Sequence, residues 1–191
     1  MFLKDKQINQ NKDRVKKSKK QELRLASLLG GKRFSQSGAQ KSGKYSTQTI
    51  CADLSTDLLH IEQKTTEKEK MVVQREWFTK VVSGVTHSSL KKPAIIITFM
   101  HEGVPYDWIF LRRLDVSHVD KLASKHEANV VTNHKSIQIS LSFLEGFKDE
   151  VKNDLIPMII FSWNDTNIID EWYLMPLLQM IPFITKKRIT T

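Results

Sequence analysis

Apolar residues along this chain follow two rhythms, one with a period near 3.6 and one with a period of two. In KQELRLASLLGG, Leu25, Ala26 and Leu29 follow Glu22 at helical spacing, and Gly30-Gly31 supplies a stop, so a helix is predicted from about Lys20 to Leu29. Trp77, Phe78, Val81 and Val82 make the apolar face of a second helix, from about Gln74 to Val82. PAIIITF (93–99) is an unbroken apolar run of strand length, which implies a strand covered on both faces. Strands are also predicted over 50–54 and 57–64, joined at Ser55-Thr56, and over 107–114, with Ser117 capping a short helix to about Lys125. Helix, strands, helix and strand in that order describe an α/β domain around a mixed sheet.

The last third of the chain repeats part of what precedes it. PAIIITFMHEGVPYDWIFLRRLDV (93–116) lies over PMIIFSWNDTNIIDEWYLMPLLQM (157–180) without a gap, matching Pro93 with Pro157, Trp108 with Trp172 and Leu114 with Leu178. Upstream, KMVVQREWF (70–78) is echoed by SIQISLSFL (136–144), with a two-residue difference in length before the proline. A partial internal duplication of a helix-strand-strand unit is therefore expected. Where the first unit reads HIEQKTT the second reads ANVVTNHK, without an acid-x-lysine pair, so the second unit is expected to be architectural.

Charge is distributed unevenly. The chain has 191 residues, 40% of them hydrophobic, enough for one domain of ordinary size, and carries a formal charge of +9. Residues 1–20 hold eight lysines and arginines against Asp5 and Asp13, with almost nothing apolar, and read as a basic, disordered tail over 1–18. Exposed lysines there serve equally as a solubilising extension or as contacts to a nucleic-acid backbone. Residues 32–49 are Ser/Gly/Gln-rich and basic, the composition of a loop whose backbone amides could approach a phosphate. The candidate DNA contacts are Lys16, Lys17, Lys19, Lys20, Lys32, Arg33, Ser37, Lys41 and Lys44. The one cysteine, Cys51, excludes an internal disulfide and a thiolate zinc site, and no apolar run approaches the length of a membrane helix, so an intracellular, cytoplasmic protein without membrane contact is expected.

The stretch DLSTDLLHIEQKTT (53–66) carries the candidate chemistry. An E-x-K triplet arises by chance in about every second chain of this length, and Glu150 and Lys152 form another at the charged end of a predicted surface helix. Context separates the two. On a strand, Glu62 and Lys64 project from one face together with His60, within reach of Asp53 on the preceding strand, and Glu22 on the first helix can complete the set. Carboxylates so grouped can hold Mg²⁺, a hard ion that prefers oxygen and keeps several waters, and such a site suits phosphodiester hydrolysis with Lys64 orienting the water or countering developing charge. A plain strand-end ion pair is the competing account of Glu62 and Lys64. His60 is better read as a surface or satisfied residue, and Trp77, Trp108, Trp163 and Trp172 as core.

In these residues the chain resembles the PD-(D/E)xK nucleases, and among them the small phage-type Holliday junction resolvases related to the archaeal resolvases. The matching features, in order, are Glu22, Gly30-Gly31, Ser37-Gly38, Asp53, Glu62-Gln63-Lys64, Thr65-Thr66, Trp77, Pro93 and Asp107-Trp108, and they cover about residues 18–116. Gln63 stands where a cysteine is common, and Cys51-Ala52 precedes Asp53 where Lys-Gly is usual. The resemblance implies a restriction-endonuclease-like core over 19–125, followed by a degenerate repeat over 126–191. It implies that Asp53 and Glu62 are metal ligands, that Lys64 is the catalytic lysine and that Glu22 is a further metal-site or site-organising acid. The expected function is a Mg²⁺-dependent endodeoxyribonuclease, with Mn²⁺ able to substitute, cutting four-way junctions or other branched DNA in a phage or similar genome. A restriction or repair nuclease and a non-catalytic DNA-binding protein of the same fold are the alternatives. Because resolving a two-fold junction takes two sites and this chain has one, a homodimer is expected.

Overall fold

The computed structural model describes residues 2–34, 52–85, 90–115, 123–132, 134–150, 156–165 and 168–185. Ser37, Lys41, Lys44 and Cys51 lie outside them, as do residues 117–122 of the predicted Ser117 helix. The first helix, α1, spans Phe2–Leu29. It therefore continues back through the stretch whose polarity predicts a tail. That stretch has no Gly or Pro and is rich in Lys, Gln and Asn, so nothing breaks the helix, while its few apolar residues show no helical period in the sequence. Leu25 and Leu29 bury its inner face, and Gly30 at φ +63° ends it, with the Gly31 N–H bonded to the Ala26 carbonyl at 2.8 Å. A Cβ on Gly31 would stand 2.7 Å from the Ser55 carbonyl oxygen, so glycine lets the chain pass close to the next strands.

Those strands are β1 (Lys32–Arg33), β2 (Leu54–Ser55) and β3 (Leu59–Thr66). They run antiparallel in that order, and the β2–β3 turn is closed by Thr56, whose Oγ1 accepts the Leu59 N–H at 2.9 Å. Next come β4 (Lys70–Gln74), α2 (Arg75–Gly84), β5 (Lys92–His101) and β6 (Val104–Arg112). β5 lies parallel to β3, and β6 returns antiparallel through a turn in which Glu102 and Gly103 both take positive φ. A second series follows: β7 (Ala123–Thr132), β8 (Ser136–Ser140), α3 (Leu141–Glu150), β9 (Ile156–Asp165), β10 (Ile168–Pro176) and α4 (Leu177–Ile184). Ala123 to Lys125 belong to β7 rather than to the helix predicted from Ser117. Ala123 pairs with Ile156 of β9 ahead of a register shift that ends at Glu127, and this extended course overrides local propensity.

The result is α/β, with a mixed eight-stranded sheet ordered β1-β2-β3-β5-β6-β10-β9-β7 and a separate β4–β8 ribbon. In the second series β7 is parallel to β9 and β9 antiparallel to β10, as β3 is to β5 and β5 to β6. The two series meet through antiparallel pairing of β6 with β10. Period-two alternation in the strands sends side chains to two cores. On one face Leu25 and Leu29 of α1 and Leu177, Met180 and Ile184 of α4 pack on Ile61, Ile96, Ile109 and Ile160. On the other, Phe78 of α2, Leu144 of α3 and Val73 and Ile139 of the ribbon cover Ile95, Phe110, Phe161 and Trp172. Phe78 meets the Phe110 and Trp172 rings edge-on at 5.1 and 4.9 Å, so one α2 side chain ties the two series together. Among the described residues no helix is long and apolar enough to cross a membrane.

Candidate functional site

β3 presents Ile61 and Gln63 to the α1 face and Glu62 and Lys64 to the α2 face, because alternate residues point opposite ways. The Asp53 N–H bonds the carbonyl of Ile61, the residue Leu54 pairs with, at 2.9 Å, so Asp53 bulges out of the β2–β3 register just before β2. The Asp53 side chain is held too, since its Oδ2 accepts the Gln63 N–H at 2.8 Å. Lys64 Nζ donates to Glu62 Oε1 and lies 5.3 Å from the centre of the Trp77 ring. Asp53, Glu62 and Lys64 thus come together as the sequence predicts.

The electrostatics of the group are those of crowded carboxylates. Burial, and then the charge of Asp53, push the Glu62 carboxyl above the usual carboxylate range, while Lys64 and Lys80 pull it back. A divalent cation between the two carboxylates would relieve that crowding. Two carboxylates are also a sufficient protein contribution for Mg²⁺, which completes its shell with water and phosphate oxygens. Asp53 and Glu62 therefore fit such an ion.

Glu22 is placed differently. It is buried, its Oε2 accepts from Arg33 Nε and its Oε1 from Ser18 Oγ at 3.1 Å, on the helix that covers the opposite sheet face. Among the described residues no third His, Cys, Asp or Glu joins Asp53 and Glu62 in a metal-holding group. Glu22 nevertheless bears on the site through the backbone. It fixes Arg33, and the N–H of the next residue, Phe34, bonds the Asp53 carbonyl at 2.9 Å.

Other residues take roles that the sequence leaves obscure. Trp77, read as core, is only partly buried and offers its ring face to Lys64, whereas Trp108, Trp163 and Trp172 are fully buried. Lys80, one helical turn after Trp77, lies near enough to Glu62 to act on its charge, a neighbour that the i, i+3 spacing in α2 could have suggested. Asp107 is structural. Its carboxylate takes two hydrogen bonds from Arg24, both 2.7 Å, and one from Thr98 Oγ1 at 2.7 Å. His60 is buried with Nε2 lacking a hydrogen-bond partner among the described residues, and burial, followed by the Lys91 charge, lowers its pKa and favours the neutral ring. Of the candidate DNA contacts, Lys16, Lys19, Lys20 and Lys32 are exposed, Lys17 pairs with Glu67 at 2.6 Å and Arg33 is committed to Glu22.

No family model, curated protein or solved structure matches the chain.

Proposed function

We propose that this protein is a metal-dependent endodeoxyribonuclease of the PD-(D/E)xK type that hydrolyses phosphodiester bonds in branched DNA, four-way junctions foremost. The observation that carries the reading is the Asp53 carboxylate, held by the Gln63 N–H and close enough to Glu62 for its charge to act on it, with Lys64 two residues on from Glu62 along the same face of β3. The surrounding topology supports it: a helix, three antiparallel strands, a ribbon strand, a second helix and a strand parallel to the third, an order in keeping with the restriction-endonuclease-like core that the resemblance implies. The likeness of the two series supports a degenerate duplication over 126–191.

Asp53 and Glu62 would hold Mg²⁺, or Mn²⁺ in its place, and the ion when bound supplies polarisation of the scissile phosphate and a water acidic enough to attack. The chain's own groups do the rest. The Gln63 N–H holds the Asp53 carboxylate in place, which lowers the reorganisation needed on binding. Lys64, resting on the Trp77 ring, offers a cation to the phosphate or its attacking water. Glu22 acts as a positioning residue through Arg33 and the Phe34–Asp53 bond. The exposed lysines of α1 supply phosphate contacts. Lys16 and Lys20 stand one turn apart, where like charges repel and a polyanion would relieve them.

Purified protein given Mg²⁺ and a panel of junction, flap, nicked and linear duplex DNA should cut the junction preferentially. Asp53→Ala and Glu62→Ala should abolish cutting and leave binding intact. Salt-sensitive binding that is indifferent to metal and to Asp53→Ala, with no cutting, would instead identify a DNA-binding protein. Preferential cutting of linear duplex would point to a restriction or repair nuclease.

A further inference from the structure

The registers of two separate ladders share one symmetry. Phe110 of β6 and Leu174 of β10 occupy matching places in the gapless alignment of the two units, and they are direct cross-strand partners. On either side the pairs exchange under the same match. Trp108 stands opposite Pro176 and Arg112 opposite Trp172, while Trp108 matches Trp172 and Arg112 matches Pro176. The ribbon behaves alike. Val72 and Gln138 match and are partners, and the flanking pairs Lys70 with Ser140 and Gln74 with Ser136 exchange. Residue i meeting j while the equivalent of i meets the equivalent of j is the signature of an isologous two-fold contact, usually made between two subunits. Here both sides belong to one chain.

We propose that the protein is a self-contained pseudo-dimer, in which the second unit fills the place of a second subunit, so that it acts as a monomer and cuts one DNA strand per encounter. The cutting half of this statement rests on the nuclease reading above; the monomer half stands on the registers alone. Three observations support the whole. First, the edges through which a second copy would add by the same dyad are filled: β10 occupies the free side of β6, and β8 that of β4. Second, the contact is core rather than accessory, since Phe110, Phe161, Trp163, Trp172 and Leu174 are all buried in the cluster around Phe78. Third, the second unit has no counterpart of the reactive pair. Glu62 stands beside Ile95 and Lys64 beside Ile97, and the matching places beside Ile159 and Phe161 are held by Ala128 and Val130, neither of them ionisable. A two-fold frame with one reactive half has one strand within reach of chemistry. This replaces the homodimer that junction symmetry suggests and makes the product a nick.

The test uses the full chain in three measurements. Its mass is taken by light scattering over a wide concentration range, and then with a non-cleavable junction bound. Supercoiled plasmid with Mg²⁺ is followed through nicked circle to linear DNA. The wild type is also mixed with Glu62→Ala under limiting DNA-free protein. A protein mass of 22.1 kDa, free and bound, is expected. Nicked circle should precede linear product, and the rate should fall in simple proportion to the wild-type fraction. A dimeric mass, linear product without a nicked precursor, or a rate that falls faster than the wild-type fraction would overturn the proposal. If no DNA is cut, the nuclease reading fails, and the mass alone still decides for or against the pseudo-dimer.

Discussion

Asp53 Oδ2 accepts the backbone N–H of Gln63 at 2.8 Å, so a side chain at the end of one strand is anchored beside Glu62 on the next. The bond needs an acceptor oxygen and no charge, which separates what Asp53 does for the fold from what it does for chemistry. Asp53→Asn should keep the bond and lose the repulsion with Glu62, folding at least as stably as the wild type. Its cutting should nevertheless drop below about one hundredth of the wild-type rate. Asp53→Ala should be about 1 kcal/mol less stable than Asp53→Asn, because the Gln63 N–H loses its partner. Urea melts and a cleavage assay on the same preparations check both statements.

Glu62 ties stability to pH in the opposite sense from a paired surface acid. Its carboxyl titrates above the usual range in the folded protein, so the folded state retains a proton that the unfolded chain has released. Stability on this account falls as pH rises from the ordinary carboxylate value through the raised one. Without divalent metal, Glu62→Gln should therefore be more stable than the wild type at neutral pH, and the advantage should vanish in acid. Cutting should rise with pH over the same interval, and excess Mg²⁺ should move its midpoint downward as metal competes with the proton. Melts and rates across acid to neutral pH, with and without Mg²⁺, give the comparison.

Glu22 distinguishes a positioning residue from a ligand. Its oxygens are taken by Arg33 and Ser18, and its link to the site runs through the backbone. Glu22→Gln should lower the maximal cutting rate about tenfold and leave the Mg²⁺ concentration for half-maximal rate unchanged. A ligand would shift that concentration.

Arg24 and Asp107 make a clamp between α1 and β6, with the carboxylate side chain 5% exposed. Arg24→Ala strands a buried charge with Thr98 as its one remaining partner among the described residues, at a cost of about 3 kcal/mol. The urea midpoint should fall accordingly, while cutting per folded molecule stays at the wild-type level.

Much of the first unit is legible in its side-chain pattern. Residues 93–99 are apolar but for Thr98, whose hydroxyl serves Asp107, because β5 lies between β3 and β6 with a core on each side. The stop at Gly30-Gly31 is legible because backbone conformation and the closeness of Ser55 both require glycine. The start of α1 is not, because its few apolar residues fall at no helical period in the sequence. β4 shows its alternation in Met71 and Val73, but its partner β8 lies far along the chain and pairing of that range leaves no local mark. At the site, spacing along one strand brought Glu62 and Lys64 together and a tight turn brought Asp53. Glu22 eluded the pattern because helical periodicity tells which residues face inward and is silent on which side of the sheet they arrive.

The symmetric β6–β10 ladder also sets an order on folding. Both hairpins, β5–β6 and β9–β10, are local, but their junction joins strands whose partners are separated by most of the second unit. During synthesis β6 leaves the ribosome with its outer edge bare, and β10, the strand that covers it, follows only after β7, β8 and β9. Because the ladder is centred on equivalent residues, the β6 of a neighbouring nascent chain can set its Phe110 against the first Phe110 in the same register. Strand exchange between chains on one messenger is thus the misfolding route to which this architecture is open, and prompt completion of residues 168–176 is what closes it.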